Sequence, residues 1–236
     1  MVGGETVLVD RRADRTWVTL HRPAERNAID TAMVDQLHDV CAELESDPKV
    51  LVLTGGCDGV FAGGADIAQL LERRSDDALQ GINLRLSERI RSLPMPTVAA
   101  IDGWAVGGGA DLAYACDIRI SSIRAKFGQL EPRLGIIAGA VATFRLVRLL
   151  GESVAKQILL AWRTLDADDA LRLGLVLSVT EPEDLFAAVV RCRRSDAFEF
   201  AESAEPVQDR RRCARRRSSA RRSIGPGGAL RGLRKV

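Results

Sequence analysis

Residues 102–119 read Asp102-Gly-Trp-Ala-Val-Gly-Gly-Gly-Ala-Asp-Leu-Ala-Tyr-Ala-Cys-Asp-Ile-Arg119, and three consecutive glycines stand at the centre of this stretch. Glycine has no Cβ, so such a run permits unusual backbone dihedral angles and lets a ligand approach the main chain. The residues after the run are typical of a short helix, which we predict to begin at the third glycine, Gly109. The first N–H groups of a helix have no intrahelical partner. The run therefore predicts backbone N–H groups that bind a ligand oxygen.

Two further features extend this prediction. A second glycine-rich segment, Phe61-Ala-Gly-Gly-Ala-Asp66, lies upstream, and the carboxylates Asp111 and Glu131 lie within and after the quoted stretch. Two such loops facing one pocket could hold a developing oxyanion, while the carboxylates move protons or position water. Each feature alone has a structural alternative. The upstream segment is also typical of a strand-to-helix turn, and Asp111 would be stabilised at any helix N-terminus.

The apolar patterns alternate between strands and helices, which predicts an α/β fold. The predicted strands are Trp17–His21, Val50–Thr54, Thr97–Ile101 and Asp117–Ser121. The predicted helices are Met33–Leu44 with Asp30 as a possible cap, one starting at Ile67, Ile82–Leu93, Ala110–Cys116, Gly139–Leu150, Val154–Ala161, Asp168–Leu173 capped by Asp166, and a last one within Pro182–Arg194, with Gly151 and Gly174 as stops.

Composition excludes several classes of protein. No run of 18 apolar residues and no secretory signal pattern occurs, so we expect no membrane span and a cytoplasmic protein. The five cysteines are scattered without a Cys-x-x-Cys pair, which argues against a structural zinc site or a disulfide framework. The net charge of +2 combines a segment of +11 over residues 210–236 with −9 over residues 1–209. Such a basic block is usually solvated and can bind polyanions nonspecifically.

Five ordered motifs in residues 5–190 resemble the enoyl-CoA hydratase/isomerase family, the crotonases. They are Arg22-Pro23 with Arg26-Asn-Ala28, Leu53–Gly56 with Phe61–Ile67, the glycine stretch 102–119, Phe127-Gly-Gln-Leu-Glu131 with Leu134-Gly135, and Leu165–Val179. The resemblance implies a crotonase-like spiral of ββα units followed by a C-terminal helical region. It also implies an acyl-CoA thioester as substrate and an enzyme that needs no metal or redox cofactor, because the CoA belongs to the substrate.

The resemblance also assigns roles to individual residues. The N–H groups of Ala65 and Gly108 would form the oxyanion hole for the thioester oxygen. Asp111 and Glu131 would hold the water that adds to a trans-2-enoyl-CoA to give a 3-hydroxyacyl-CoA in fatty-acid metabolism, with Glu131 as the principal acid/base and Asp111 orienting the water. The remaining substrate-binding positions would be Arg26, Ala28, Ala62, Asp66, Ile67, Trp104, Gly107 and Leu134.

Departures from the family pattern keep other activities open. Most hydratases have Glu at the position of Asp111, and the Asp and Glu pair resembles the dienoyl-CoA isomerase branch equally well. That branch has a third acid at the position of Gly139, and its absence here argues against dienoyl isomerisation. The segment 135–145 lacks the Pro, paired Gly and Gln that are usual in hydratases. The alternatives are enoyl-CoA isomerisation and a noncatalytic acyl-CoA-binding paralogue.

The C-terminal region departs from the family completely. We divide the chain into an acyl-CoA-binding domain, residues 1–190, and an atypical Arg-rich tail, residues 191–236. Family members continue here with helices that build a trimer, so a homotrimer or hexamer is expected only if this region permits it. We hypothesise a reading-frame shift near residue 190 in a GC-rich coding sequence. The alternative is a genuine basic tail, and binding of nucleic acid is expected only nonspecifically through residues 210–236.

Overall fold

The computed structural model describes residues 5–72 and 81–192 and contains two β-sheets. The strands are β1 (Val7–Arg11), β2 (Arg15–Leu20), β3 (Val50–Thr54), β4 (Val60–Ala62), β5 (Thr97–Ile101), β6 (Trp104–Val106), β7 (Ile118–Ser122), β8 (Lys126–Gly128), β9 (Leu165–Asp166) and β10 (Ser178–Thr180). The larger sheet has the order β1-β2-β3-β5-β7-β10, and the smaller one has the order β4-β6-β8-β9. All pairs are parallel except β1 with β2 and β8 with β9.

Seven α-helices connect these strands among the described residues. They are α1 (Thr31–Ser46), α2 (Ile67–Glu72), α3 (Ile82–Arg91), α4 (Gly108–Ala115), α5 (Ala142–Ala161), α6 (Ala167–Arg172) and α7 (Leu185–Cys192), with short 3-10 turns at Pro23–Glu25, Glu131–Leu134 and Pro182–Asp184. No helix in the described part of the chain is long and apolar enough to span a membrane.

The larger sheet is buried on both faces because its strands alternate between two apolar clusters. In β3, Leu51 and Leu53 belong to the main core, which also contains residues of α1, α3, α4 and α5. Val52 points to the other face, where it packs with Val98 and with Leu185 and Val189 of α7. A parallel sheet covered by helices on both faces buries nearly continuous apolar strands. This burial explains why the runs 50–54 and 97–101 contain so few polar side chains.

Most of the elements predicted from the sequence are present. Helix α1 buries the six residues whose spacing predicted its inner face, which are Met33, Val34, Leu37, Val40, Cys41 and Leu44. The side chains of Asp30 and Asp166 accept hydrogen bonds from the N–H groups of Met33 and Asp169, so both caps are confirmed. Gly151 interrupts α5 with φ 77°, as its role as a stop requires. The Arg-rich tail, residues 193–236, lies outside the described residues.

Candidate active site

The smaller sheet brings the candidate residues to one edge. Strands β4, β6 and β8 are parallel neighbours, so their carboxyl ends lie side by side. The chain leaves β4 into Gly63–Asp66, leaves β6 into Gly107, and leaves β8 toward Glu131. Loops at the carboxyl ends of parallel strands are the usual place for ligands in α/β proteins. Segments that are separated by up to 68 residues in sequence thus meet at one edge.

The N–H of Ala65 is left open by the way its loop is held. Ile29 forms an isolated parallel bridge with Ala65, in which the N–H of Ile29 donates to the Gly64 carbonyl and the N–H of Asp66 donates to the Ile29 carbonyl. This pattern uses the groups on either side of Ala65 and directs the N–H of Ala65 away from Ile29. Among the described residues no acceptor pairs with this N–H.

The start of α4 differs by one residue from the prediction. The helix begins at Gly108 rather than at Gly109, because Gly107 is the N-cap with φ 53° and ψ −131°. Gly108 is therefore the first helical residue, and its N–H has no acceptor within the helix. A Cβ built on Gly108 would lie 3.5 Å from the nitrogen of Ala65. The two N–H groups predicted to form the oxyanion hole thus lie close together.

The three glycines are required for three different reasons. Gly107 has a positive φ, and a Cβ there would lie 3.1 Å from Oε1 of Glu131. A Cβ on Gly109 would lie 2.3 Å from the carbonyl oxygen of Ala62, so close packing of two segments excludes a side chain. A Cβ on Gly108 would make only ordinary contacts of 3.5–3.7 Å. Neither packing nor conformation demands glycine at position 108, so open space for a ligand is the remaining physical reason.

The carboxyl group of Asp111 is buried and accepts a hydrogen bond from a main-chain N–H. It is 1% exposed and lies in the first turn of α4, and its Oδ1 accepts a hydrogen bond of 2.6 Å from the N–H of Ala142. Burial raises the pKa of Asp111 to about 8, and the nearby negative charge of Glu131 contributes to this shift, against the opposing effect of the hydrogen bond from Ala142. Asp111 is therefore mostly protonated at neutral pH.

Glu131 lies beside the glycine run and is held by a residue that the sequence did not single out. Burial raises its pKa as well. Gln129 is fully buried, and the amide orientation that satisfies both groups places its Nε2 2.7 Å from Oε2 and 3.1 Å from Oε1 of Glu131. These bonds favour the ionised form of Glu131. The position of Gln129 two residues before Glu131 was a signal that sequence reasoning passed over.

Most of the other predicted substrate-binding residues lie in the segment before α1, between β4 and the start of α2, and in the 3-10 turn Glu131–Leu134. Asp66 accepts hydrogen bonds from the N–H groups of Ala68 and Gln69 and forms a 3.0 Å ion pair with Arg22, which lowers its pKa. Ala28 is half-buried, and its carbonyl accepts from Arg22. Arg26 is exposed, and its carbonyl accepts from the N–H of Gly63. Exposed apolar side chains at Ile67 and Leu134 complete the set.

Two of the predicted substrate-binding positions have other surroundings. Ala62 is fully buried, and its side chain packs against Gly109, so any contact with a substrate would involve its main chain. Trp104 begins β6, where it pairs with Val60 and Lys126, whereas the candidate site lies beyond the other end of that strand. The described residues also contain no cluster of three or more potential metal ligands.

The geometry defines an α/β protein in which two backbone N–H groups, a buried acid and a half-buried acid meet at one sheet edge. The family model for enoyl-CoA hydratase/isomerase matches residues 13–203. The chain belongs to the enoyl-CoA hydratase/isomerase family.

Similar proteins share most of the described region. A short-chain-enoyl-CoA hydratase of Clostridium acetobutylicum is 39% identical over 183 residues, which cover 76% of this chain and 70% of that one. A crotonyl-CoA hydratase of Syntrophomonas wolfei is 35% identical over 189 residues, 78% and 73% of the two chains. The crystal structure of an enoyl-CoA hydratase from Thermoplasma volcanium superposes with a TM-score of 0.74 at 33% identity, covering 79% of this chain and 76% of that one. These likenesses confirm the crotonase fold.

Proposed function

We propose that this protein is an enoyl-CoA hydratase, a hydro-lyase that adds water to a trans-2-enoyl-CoA. The observation that carries the proposal is the placement of the N–H groups of Ala65 and Gly108, which have no acceptor among the described residues, together with the acids Asp111 and Glu131 at one sheet edge. The hydratases named above support it, because they are 35–39% identical over about three quarters of the chain.

The protonation states suggest how the acids divide the work. Glu131, ionised and oriented by Gln129, removes a proton from water as the water oxygen bonds to C3 of the substrate. The electrons of the 2,3-double bond move onto the thioester oxygen, which accepts hydrogen bonds from Ala65 and Gly108. The enolate then takes a proton at C2 from the Glu131 carboxyl, which restores the carboxylate. Asp111, neutral at this stage, orients the water without placing a second negative charge beside the enolate.

Turnover assays with two substrates test this function. Incubation with crotonyl-CoA should remove the absorbance of the conjugated enoyl thioester, since water adds across the double bond. Glu131→Gln should lower kcat by about 10²–10⁴-fold, because the amide cannot accept the proton. Circular dichroism should show an unchanged fold. Full activity of this variant would contradict the assignment of Glu131.

Isomerisation of a 3-enoyl-CoA is the nearest alternative, since one carboxylate could move a proton between C2 and C4. A product that gains conjugated absorbance from a 3-enoyl-CoA, without hydration of crotonyl-CoA, would select it. Tight calorimetric binding of acyl-CoA with no turnover would instead select a noncatalytic binding protein.

The predicted trimer or hexamer, the cytoplasmic location and a role in fatty-acid metabolism are part of this proposal. Exposed apolar side chains on neighbouring surfaces, Leu160 and Trp162 at the end of α5 and Ile137 beyond the Glu131 turn, are consistent with burial against another subunit. Light scattering of the full chain would measure its mass in solution. A monomer at micromolar concentration would contradict the assembly and leave the chemistry as a separate question.

A further inference from the structure

Asn83, in the first turn of α3, places an amide group beside the two N–H groups of the proposed oxyanion hole. A Cβ built on Gly108 would lie 3.5 Å from Nδ2 of Asn83 and also 3.5 Å from the nitrogen of Ala65. The methyl Cδ1 of Ile29 bounds the same space at 3.7 Å. Two nitrogen donors from different segments therefore border the open space in front of Gly108.

The amide of Asn83 has no hydrogen-bond partner among residues 5–72 and 81–192. Its Oδ1 is buried without a hydrogen-bond partner, and no described residue accepts a hydrogen bond from its Nδ2. Leaving a buried amide oxygen without a partner is unfavourable, so most buried amides are paired within the protein. Elsewhere in this molecule the buried amide of Asn27 lies 3.1–3.2 Å from three carbonyl oxygens, those of Gly55, Val60 and Phe61. The contrast shows that the amide of Asn83 is not fixed by the main chain, and it leaves Nδ2, the end beside Gly108, available to donate to a ligand.

A thioester held by Ala65 and Gly108 occupies the space that Asn83 borders. The group in that space which accepts hydrogen bonds is the thioester oxygen, and it gains negative charge as the enolate forms. Nδ2 is the end of the amide that faces Gly108, so it presents a donor to this oxygen. A donor aimed at developing charge lowers the barrier more than it strengthens substrate binding.

We propose that Asn83 is a third hydrogen-bond donor of the oxyanion hole and thus a catalytic residue. This inference rests on the proposed binding of an acyl-CoA thioester between Ala65 and Gly108, and it deepens that function. It predicts that the side chain acts on the polarisation of the thioester carbonyl, which can be measured without turnover.

The test uses the full chain and cinnamoyl-CoA as a conjugated probe. Polarisation of its thioester carbonyl should shift the absorption to longer wavelength on binding. Asn83→Leu removes the donor and should reduce this shift and lower kcat for crotonyl-CoA by about tenfold, with little change in KM. Asn83→Asp removes the donor and adds negative charge, so its kcat should fall further. If the leucine side chain of Asn83→Leu disturbs the fold, Asn83→Ala replaces it in the test. Arg85→Ala is the matched control, because Arg85 is exposed on the same helix.

The outcomes separate this inference from the hydratase proposal. A red shift that depends on Asn83 in a protein without turnover would support the third donor and contradict hydration. Normal hydration with an unchanged red shift and kcat in Asn83→Leu would overturn the third donor alone. Absence of any red shift in the unaltered protein would overturn both.

Discussion

Two buried ionisable groups eight residues apart, Arg119 and Asp111, have opposite surroundings. Arg119 is 6% exposed and donates to four main-chain carbonyls, those of Leu175, Ala113, Cys116 and Asp117, at 2.7–3.2 Å. Asp111 is 1% exposed, and the hydrogen bonds to its carboxyl come from the main chain of Ala142 and Val141 alone among the described residues.

The difference distinguishes structural burial from functional burial. The guanidinium of Arg119 joins the end of α4 to the segment after α6, and every one of its nitrogens has an acceptor. Such a group stabilises the fold because its desolvation is offset by hydrogen bonds. The buried carboxyl oxygens of Asp111 can accept further hydrogen bonds. Burial raises the pKa of this carboxyl to about 8, which favours its neutral form. Removing the first group should therefore destabilise the protein, whereas removing the second should stabilise it.

Replacing Arg119 should produce the largest change in stability. Arg119→Leu would remove four hydrogen bonds to main-chain carbonyls, three of them buried, and we expect the free energy of unfolding to fall by about 3–5 kcal/mol. Urea unfolding followed by circular dichroism measures this loss. Arg85→Leu, an exposed position on α3, is the control and should change the midpoint little. An unchanged urea midpoint for Arg119→Leu would contradict the conclusion that Arg119 stabilises the fold.

Alanine substitutions at Gly108 and Gly109 test whether the space in front of Gly108 is open for a ligand. Gly108→Ala should preserve the fold, because its Cβ meets ordinary contacts, but the methyl group would lie 3.5 Å from the Ala65 nitrogen, where the thioester oxygen is expected. We expect kcat/KM for crotonyl-CoA to fall by about 10²-fold, as for loss of one oxyanion donor. Gly109→Ala, which would place a Cβ 2.3 Å from the Ala62 carbonyl, should instead lower stability by about 1–3 kcal/mol. Equal effects of Gly108→Ala and Gly109→Ala on stability would contradict the distinction between open space at position 108 and close packing at position 109.

The sequence predicted those parts of the fold whose signal is local. Apolar periodicity located α1 and the strands β3 and β5, because their burial repeats along the chain. The three-residue strands β4, β6 and β8 were not predicted, since so short a strand has no alternating pattern to detect. These strands are nevertheless the ones that assemble the site.

The sequence predicted those residues of the candidate site that a family motif identifies by their position in the chain. Ala65, Gly108, Asp111 and Glu131 lie at one edge of the smaller sheet. Asn83 could not have been found in this way, because its relation to the site depends on how α3 packs against α4, 25 residues later.

Replacing Asp111 should show how much stability the protein loses, as pH rises, by burying this acid. The pKa of Asp111 is raised from its ordinary 3.8 to about 8 in the folded protein, so between these values the folded state keeps a proton that the unfolded state releases. Its contribution to stability is present below about pH 4 and is lost as pH rises to 8, by at most about 1.4 kcal/mol per pH unit. Asp111→Asn cannot ionise but can still accept from Ala142. From pH 6 to pH 8 its stability should rise by about 2 kcal/mol relative to the unaltered protein, measured by urea unfolding. Parallel pH curves would contradict the buried, titrating acid.

The pH dependence of turnover should show a smaller but more specific effect. Below the raised pKa of Glu131 the base is protonated, so kcat/KM for crotonyl-CoA should fall toward acid pH. Above about pH 8 the ionised Asp111 would place a second negative charge beside Glu131 and the developing enolate, so the rate should fall again. Carboxyl NMR of the free protein with labelled aspartate, compared with Asp111→Asn, assigns the upper titration. A rate that stays constant to pH 10, with an Asp111 resonance that titrates near pH 4, would show that burial does not hold the proton on this acid. Asp111 would then resemble Arg119, as a charged group whose surroundings compensate it fully.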